Sequence, residues 1–537
     1  SDVRTALLLP VLCLAIGCSE TRSSDPRSIV FVSVDTLAAG HTSLHGYERE
    51  TTPNLDSLAR ESVVFERCLA NAPWTTPSYM SQFTGLLPWS LEPTPPASGE
   101  ETGETLPWSM GADQPTLAEC LSDAGFRTAA FIDNPNVGSR LGFDRGFDVF
   151  DESAAEIGPE DPAGGIQHIV PRALRWLDGL DAKDPFFLFV QVLDVHGPYL
   201  PPPRWRGHFE GSPPDGVTRP DALAVALEPG LVFGAIPRYI ADPIRSEQAG
   251  SLPVLPIVNA YDDGIRALDE DLGLFLAALR ERGILDRALL VISADHGESL
   301  GERDSWFDHQ LLRPEVLHVP LLFRPPGGNE RGTRIPTGVE LIDLFPTLLG
   351  HAGVALPSPR PGRSLLGEFG GGKPPRPRPL FARGDVFDSR AIESGRWKLL
   401  VEHPTPENSG VVGYLTTPWA KEWIAGNYPE FAGRTFGTAE FPPGILEGAD
   451  VTELFDRSRA SLQGPFVRLF DLESDPTELE NVAPRHPEVV ERLTAELEGA
   501  RAEAAALRSA SGPPAAGERS EAMLEELRKL GYVRGER

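Results

Sequence analysis

The sequence predicts an α/β protein built around a mostly parallel sheet, and three observations lead to that class. Short continuous apolar runs, rich in β-branched residues, recur along the chain. Segments of helical periodicity separate them, and strands alternating with helices give a parallel sheet with helices on its faces. Acidic residues stand at or just past the ends of several runs, where ligands of such sheets bind.

The first 27 residues read as an address rather than as part of the fold. Arg4 precedes an apolar run from Ala6 to Gly17, and Cys18 follows. About a dozen apolar residues are too few to span a bilayer as a mature helix, but they suit a signal-peptide core. Ala15-Ile-Gly-Cys18 resembles a bacterial lipobox, which makes 1–18 a lipoprotein signal peptide, Cys18 a lipidated residue and 19–27 a polar tether. Plain secretion with cleavage near Cys18 is the other reading. Either way the protein is expected outside the cytoplasm, periplasmic or at the cell surface. A lipid anchor would be its sole membrane contact, since no other segment is long and apolar enough to cross.

Ser28-Ile-Val-Phe-Val-Ser-Val34 predicts a strand buried on both faces, ending at Asp35. Similar runs occupy Thr128–Ile132, Phe186–Leu193, Ala288–Ser293 and Val319–Phe323. Helical periodicity covers Leu117–Ala124 and Ala260–Arg280. Asp35, Asp194 and Asp295 fall at or just past strand ends. Pro93–Asp113 reads as a surface loop, and Pro201–Pro256 is long enough for a lid or a substrate-facing insertion. Residues 357–379, dense in Pro and Gly, read as a linker between a catalytic domain at 28–356 and a second domain at 380–537. The second domain carries a hairpin within Ala391–Val401 and an amphipathic helix from about Glu488 to Ser509.

Bulk composition narrows the function. A chain of 537 residues exceeds one small core, and 40% hydrophobic with 24% charged residues is ordinary for a folded protein. A net charge of -29 excludes non-specific nucleic-acid binding, which needs a basic face. An anionic substrate would meet a repulsive field, offset locally by a metal, histidines or a helix N-terminus. The four cysteines, Cys13, Cys18, Cys68 and Cys120, contain no Cys-x-x-Cys pair, which speaks against a cysteine zinc site. Cys68 and Cys120 are expected as buried free thiols.

Short motifs then follow in a fixed order: Val34-Asp-Thr-Leu37, His45-Gly-Tyr47, Thr51-Thr-Pro-Asn-Leu-Asp-Ser-Leu-Ala59 and Thr75-Thr-Pro-Ser-Tyr-Met-Ser-Gln-Phe-Thr-Gly85. Next come Asp194-Val-His-Gly-Pro-Tyr199, Ser293-Ala-Asp-His-Gly-Glu-Ser-Leu300 and Phe307-Asp-His309. Asp343-Leu-Phe-Pro-Thr347, Gly362-Arg-Ser-Leu365 and Leu469-Phe-Asp-Leu-Glu-Ser-Asp-Pro476 complete the series. In this order the motifs resemble those of the sulfatase family, within the alkaline phosphatase superfamily, from about residue 28 to about 490. The resemblance implies an alkaline-phosphatase-like three-layer sandwich around the sheet, with a smaller C-terminal α+β domain.

It also implies roles. Asp35, Asp295 and His296 match metal ligands; Thr75 matches the nucleophile, itself seated on the metal; His196 and His309 match positions that bind substrate or assist the leaving group. Ester hydrolysis at sulfur or phosphorus needs these parts: a nucleophile, positive charge on the non-bridging oxygens, and help for the leaving group. Taken singly, each residue also has a plain structural reading. Asp35 could cap a helix, Thr75 and Thr76 could cap one before Pro77, and His196 could sit in a turn. Trp74, Trp89 and Trp108 read as packing, Tyr47 and Tyr199 as loop buttresses, and Asp262, Asp263 and Asp269 as the solvated face of a helix. His318 and His351 are isolated.

The chain departs from the family pattern at four places. Thr75 stands where sulfatases carry the Cys or Ser converted to formylglycine, Tyr79 where they carry a supporting arginine, and Thr36 in place of a second metal-binding Asp. A Gly-Lys-Trp-His-type motif is missing, and Asn134 stands in that region. These changes point to a threonine alkoxide and to phosphate or phosphonate esters beside sulfate esters. A phosphotransferase acting on an envelope sugar or lipid, and a non-catalytic metal-binding homologue, are the alternatives. At least one divalent ion is expected. The donor set suits Ca²⁺, which the family resemblance favours, or Mg²⁺, and His296 admits Mn²⁺ or Zn²⁺.

Overall fold

The computed structural model describes residues 28–92, 108–111, 114–155, 165–219, 222–224, 251–302, 306–328, 330–369, 372, 375–385, 388–403 and 465–511. The expected signal peptide, Cys18 and the tether lie outside the described residues, as do 93–107 and 225–250.

Nine strands form the central sheet among the described residues. They are β1 (Ser28–Val34), β2 (Val63–Leu69), β3 (Arg127–Phe131), β4 (Val149–Asp151), β5 (Phe186–Val192), β6 (Ala288–Ala294), β7 (His318–Arg324), β8 (Thr333–Ile335) and β9 (Val339–Glu340). The order is β8-β2-β7-β6-β1-β5-β3-β4, with β9 also beside β2. β7 runs antiparallel to β2 and β6, and the remaining pairings are parallel. All residues of β1, β5 and β6 are buried, which is why these strands read as unbroken apolar runs rather than alternating ones.

Helices α1 (Pro53–Ala59), α2 (Thr75–Thr84), α3 (Leu117–Asp123), α4 (Ile166–Asp178), α5 (Val254–Glu281) and α6 (Leu344–Ala352) complete the layers. α5 packs on α1 and α4, whereas α6 packs on α2 and α3. α3 starts at a capping box formed by Thr116 and Glu119.

Two expectations are corrected. Asp262, Asp263 and Asp269 are not a solvated face, because all three are buried in α5. Each carboxylate finds donors on a neighbouring segment. Asp269 accepts from the backbone N–H of Asn54 at 2.8 Å and of Leu55 at 3.0 Å, capping α1. Asp263 accepts from Gly207 N at 2.7 Å and Phe209 N at 2.9 Å, pinning the 201–219 loop. Asp262 takes Tyr47 Oη at 2.8 Å and Arg49 at 2.7 Å, and His41 Nδ1 lies 2.7 Å away. The second correction is that Met110, placed in a surface loop by composition, is buried in the main core beside Trp108, which the sequence reads as packing. Cys68 is a buried free thiol, as expected, and Cys120 is free but only half-buried.

Towards the C-terminus, β10 (Leu380–Gly384), β11 (Ser389–Ser394), β12 (Trp397–Glu402) and β13 (Phe466–Asp471) form an antiparallel sheet in sequence order. The expected hairpin is β11–β12, closed at Ser394 and Trp397 around Gly395. Helix α7 (Pro487–Ser511) covers this sheet. Leu399, Leu469, Leu493 and Leu497 share one apolar cluster with Leu87, Trp89 and Ile342, so the small sheet is packed against the large unit. The Asp343 and Gly362 motifs serve this region. Asp343 accepts from Arg363 N and Arg378, and a Cβ at Gly362 would meet Ile342 O at 2.2 Å.

Candidate active site

The site begins with sheet register. β1 and β6 are parallel neighbours with Val34 opposite Ala294. The next residue on each strand is an aspartate, and adjacent strands lie only about 4.8 Å apart. Asp35 and Asp295 therefore emerge side by side at the C-terminal edge of the sheet, both fully buried. His296 follows, with Nε2 3.4 Å from Asp295 Oδ2 and 3.8 Å from Asp35 Oδ1. Gly297 makes this turn possible: it donates to Val316 O at 2.7 Å, and a Cβ there would meet Glu315 O at 2.1 Å.

Each carboxylate is held by one oxygen. Asp35 Oδ2 accepts from Asn134 Nδ2 at 2.6 Å and Gln191 Nε2 at 3.2 Å. Asp295 Oδ1 accepts from His296 N at 2.9 Å and Thr36 N at 3.3 Å. Asp35 Oδ1 and Asp295 Oδ2 are buried without a hydrogen-bond partner. Burial, with Asp295 beside it, raises the pKa of Asp35 well above the usual carboxylate value, and burial pushes Asp295 up to about 8. Two crowded, orphaned carboxylate oxygens next to an imidazole nitrogen are what a divalent cation relieves. The ligand-type atoms of Asp35, Asp295 and His296 all lie within 4.8 Å of one another, so the residues fit such an ion.

Thr75 is the first residue of α2 and is fully buried. Its Oγ1 lies 3.4 Å from His296 Nε2. Ser78 Oγ donates to Asp295 O at 2.7 Å, tying α2 to the end of β6. Thr75 thus lies beside the Asp35, Asp295 and His296 group. Tyr79 lies in the core, donating to Ser33 Oγ at 2.9 Å.

The other two predicted histidines border this group. His309 follows the short strand Trp306–Asp308, which pairs with Ser299–Leu300. Its ring centroid is 4.4 Å from that of His296 and 5.6 Å from that of His196. His196, in the loop after β5, has Nδ1 2.8 Å from Gly197 O. Burial lowers the pKa of His196, His296 and His309 to about 4, so all three rings are neutral at pH 7 and suited to ligate or to accept a proton.

Two residues went unassigned at the sequence level. Gln191 holds Asp35 and also accepts from Asp133 N and Asn134 N. Glu298 is fully buried and contacts both His309 and Tyr199. Their signals were present, a polar residue inside an apolar strand and a carboxylate within the Asp295-His-Gly-Glu298 run. Asp194, also past a strand end, is not part of the site. It accepts from Ile166 N at 3.0 Å and caps α4.

Among the described residues a second group, His41, Asp215 and Glu302, also brings ligand-type atoms together. There Arg219 pairs with Asp215 at 2.5 Å and Glu302 at 3.8 Å, and Asp262 holds His41. The guanidinium supplies the positive charge, and the group reads as an ion-pair network.

A three-layer α/β unit with an acid–histidine cluster at its strand ends, beside a helix-terminal hydroxyl, is the arrangement of a hydrolase whose acidic and histidine groups could hold a metal ion. The profile of the sulfatase family matches residues 27–354, and the chain belongs to that family. It is 24% identical over 426 residues to an N-acetylglucosamine-6-O-sulfatase of Bacteroides thetaiotaomicron, covering 67% of this chain and 74% of the relative. It is 31% identical over 223 residues to the multifunctional alkaline phosphatase superfamily protein PehA of Trinickia caryophylli, covering 38% of this chain and 41% of that protein. The fold is similar to the crystal structure of the phosphonate monoester hydrolase of Agrobacterium radiobacter, with TM-score 0.58 and 19% identity over 89% of this chain and 96% of that one.

Proposed function

We propose that this protein hydrolyses phosphate, phosphonate or sulfate esters by a double displacement on Thr75, with phosphorus esters turned over faster than sulfate esters. The observation that carries the reading is the Thr75 hydroxyl, 3.4 Å from His296 Nε2 at the N-terminus of α2. A divalent cation held by Asp35, Asp295 and His296 supplies positive charge that favours an ionised hydroxyl and stabilises anionic oxygens.

The chain's own groups do the rest. Thr75 Oγ1 attacks the phosphorus or sulfur atom; the bond to the leaving oxygen breaks, and an ester to Thr75 forms. The proton of the Thr75 hydroxyl passes by way of His309 or His196 to the leaving oxygen. Water then attacks the Thr75 ester, His309 accepts the water proton, and the bond to Thr75 breaks. The N-terminal amides of α2 favour the anionic centre. Formylglycine can release its sulfate by expelling it from a carbonyl hydrate, but a threonine ester must be hydrolysed at phosphorus or sulfur.

No helix among the described residues is long and apolar enough to cross a membrane. We place the enzyme outside the cytoplasm on the strength of the apolar run Ala6–Gly17 ahead of Cys18. The test is turnover of p-nitrophenyl phosphate, a phenylphosphonate ester, bis(p-nitrophenyl) phosphate and p-nitrophenyl sulfate after chelation, with Ca²⁺, Mg²⁺, Mn²⁺ or Zn²⁺ resupplied. The expected result is metal-restored activity, highest on a phosphorus ester. Preferential sulfate turnover would contradict it.

A further inference from the structure

We propose that Glu298 is a positioning residue for this reaction: it holds the His309 imidazole through Nδ1, fixes the tautomer with a basic Nε2, and is itself fixed by Tyr199. The proposal rests on the reading of His309 as the acid–base group.

Both carboxylate oxygens of Glu298 are engaged. Oε1 lies 3.2 Å from His309 Nδ1, and Oε2 accepts from Tyr199 Oη at 2.8 Å. Glu298, His309 and Tyr199 are all buried. They come from three segments: the turn after β6, the residues after Trp306–Asp308, and the loop after β5. Each of these segments also carries one of the site histidines, His296, His309 and His196. One carboxylate therefore joins all three segments. The ring it holds lies with its centroid 4.4 Å from that of the His296 ring, tilted by 33°, and His296 Nε2 lies 3.4 Å from Thr75 Oγ1.

An imidazole that donates from Nδ1 to a carboxylate keeps its proton there, so Nε2 is the nitrogen that exchanges protons. In the first step His309 Nε2 passes the Thr75 hydroxyl proton to the leaving oxygen as the ester forms; in the second, the water proton passes to His309 Nε2 and the new oxygen bond forms as the bond to Thr75 Oγ1 breaks. Glu298 keeps its hydrogen bond and offsets the positive charge of the imidazolium. It does not itself take the proton. In serine proteases, an amide in place of the equivalent carboxylate keeps the geometry but holds the wrong tautomer, at a cost of about 10⁴ in rate.

The experiment compares wild type, Glu298→Gln, Tyr199→Phe, His309→Ala and the Glu298→Gln/His309→Ala double variant on an aryl and an alkyl ester of the same acid. Thermal midpoint and bound metal are measured for each. Glu298→Gln should lower kcat by about 100-fold or more with KM within about threefold, and more steeply on the alkyl ester, whose leaving group needs the proton. Tyr199→Phe should lose about 5- to 10-fold with the same leaving-group trend, and it carries the test if Glu298→Gln fails to fold. In the His309→Ala background, Glu298→Gln should cost less than about twofold. An equal Glu298→Gln loss with and without His309, or a loss uniform across leaving groups, would overturn the proposal. Wild-type turnover by His309→Ala would overturn it from the other side, by removing His309 from the reaction. Thr75→Ala in the same series reports separately on the underlying reading.

Discussion

Replacing His41 by Asn should flatten the pH dependence of stability on the alkaline side of neutrality. His41 is 3% exposed. Its Nδ1 lies 2.7 Å from Asp262 Oδ1, and its Nε2 lies 3.8 Å from Glu302. Arg49 and Tyr47 bear on Asp262, and Arg219 on Glu302. Burial alone would lower the pKa of the ring, but Asp262 and then Glu302 outweigh it and raise it to about 9. A histidine raised in the folded state stabilises fully below its unfolded pKa of about 6.5, and that contribution is lost as pH rises through about 9. A shift of about 2.5 units corresponds to about 3 kcal/mol in total, of which about 2 kcal/mol disappears between pH 6.5 and pH 8.5. Asn offers Asp262 a neutral donor near the Nδ1 position, so the variant should lack that slope. Urea unfolding at pH 6.5, 7.5 and 8.5 gives ΔG for both proteins, and their difference isolates His41. A difference between wild type and variant that stays constant over this range would show that His41 does not carry this charge in the folded protein.

Asp269→Ala strips α1 of its cap and should cost about 1–3 kcal/mol in urea unfolding. Turnover per folded molecule should stay near wild type; a large loss of kcat in fully folded variant would assign Asp269 a part in the chemistry. Chelation should lower the thermal midpoint, since an ion at 100 times its Kd stabilises the native state by about 2.7 kcal/mol. Asp35→Asn removes one of two mutually repelling buried carboxylates, so its metal-free form should melt above metal-free wild type and respond little to added ion. Asp35→Asn melting like metal-loaded wild type only when ion is added would contradict this.

The candidate metal-binding group was legible because β1 and β6 are buried on both faces, so Asp35 and Asp295 end unbroken apolar runs. Strand β2 was not, since Glu66 and Arg67 interrupt its buried pattern, and β8 and β9 are too short to show a period. The buried aspartates of α5 were misplaced for another reason. Periodicity registers a carboxylate as polar whether water or the N-terminus of α1 satisfies it, and only tertiary structure shows Asn54 and Leu55 donating to Asp269. Asp194 shows the converse error, a strand-end position spent on capping α4. Glu298 lay in plain view beside His296, but its partners His309 and Tyr199 come from distant segments, and no sequence spacing reveals that convergence.

If Thr75 carries a phosphoryl or phosphonyl ester through the reaction, rapid quench of metal-loaded enzyme with an aryl phosphorus ester will trap it. Mass analysis of the peptide containing Thr75 is the readout, with turnover of wild type and Thr75→Ala measured alongside. A phosphoryl or phosphonyl adduct on Thr75 should form within one turnover, and Thr75→Ala should lose turnover by at least about 1000-fold at unchanged metal content. A Thr75→Ala variant that folds, binds metal and turns over at the wild-type rate would contradict it.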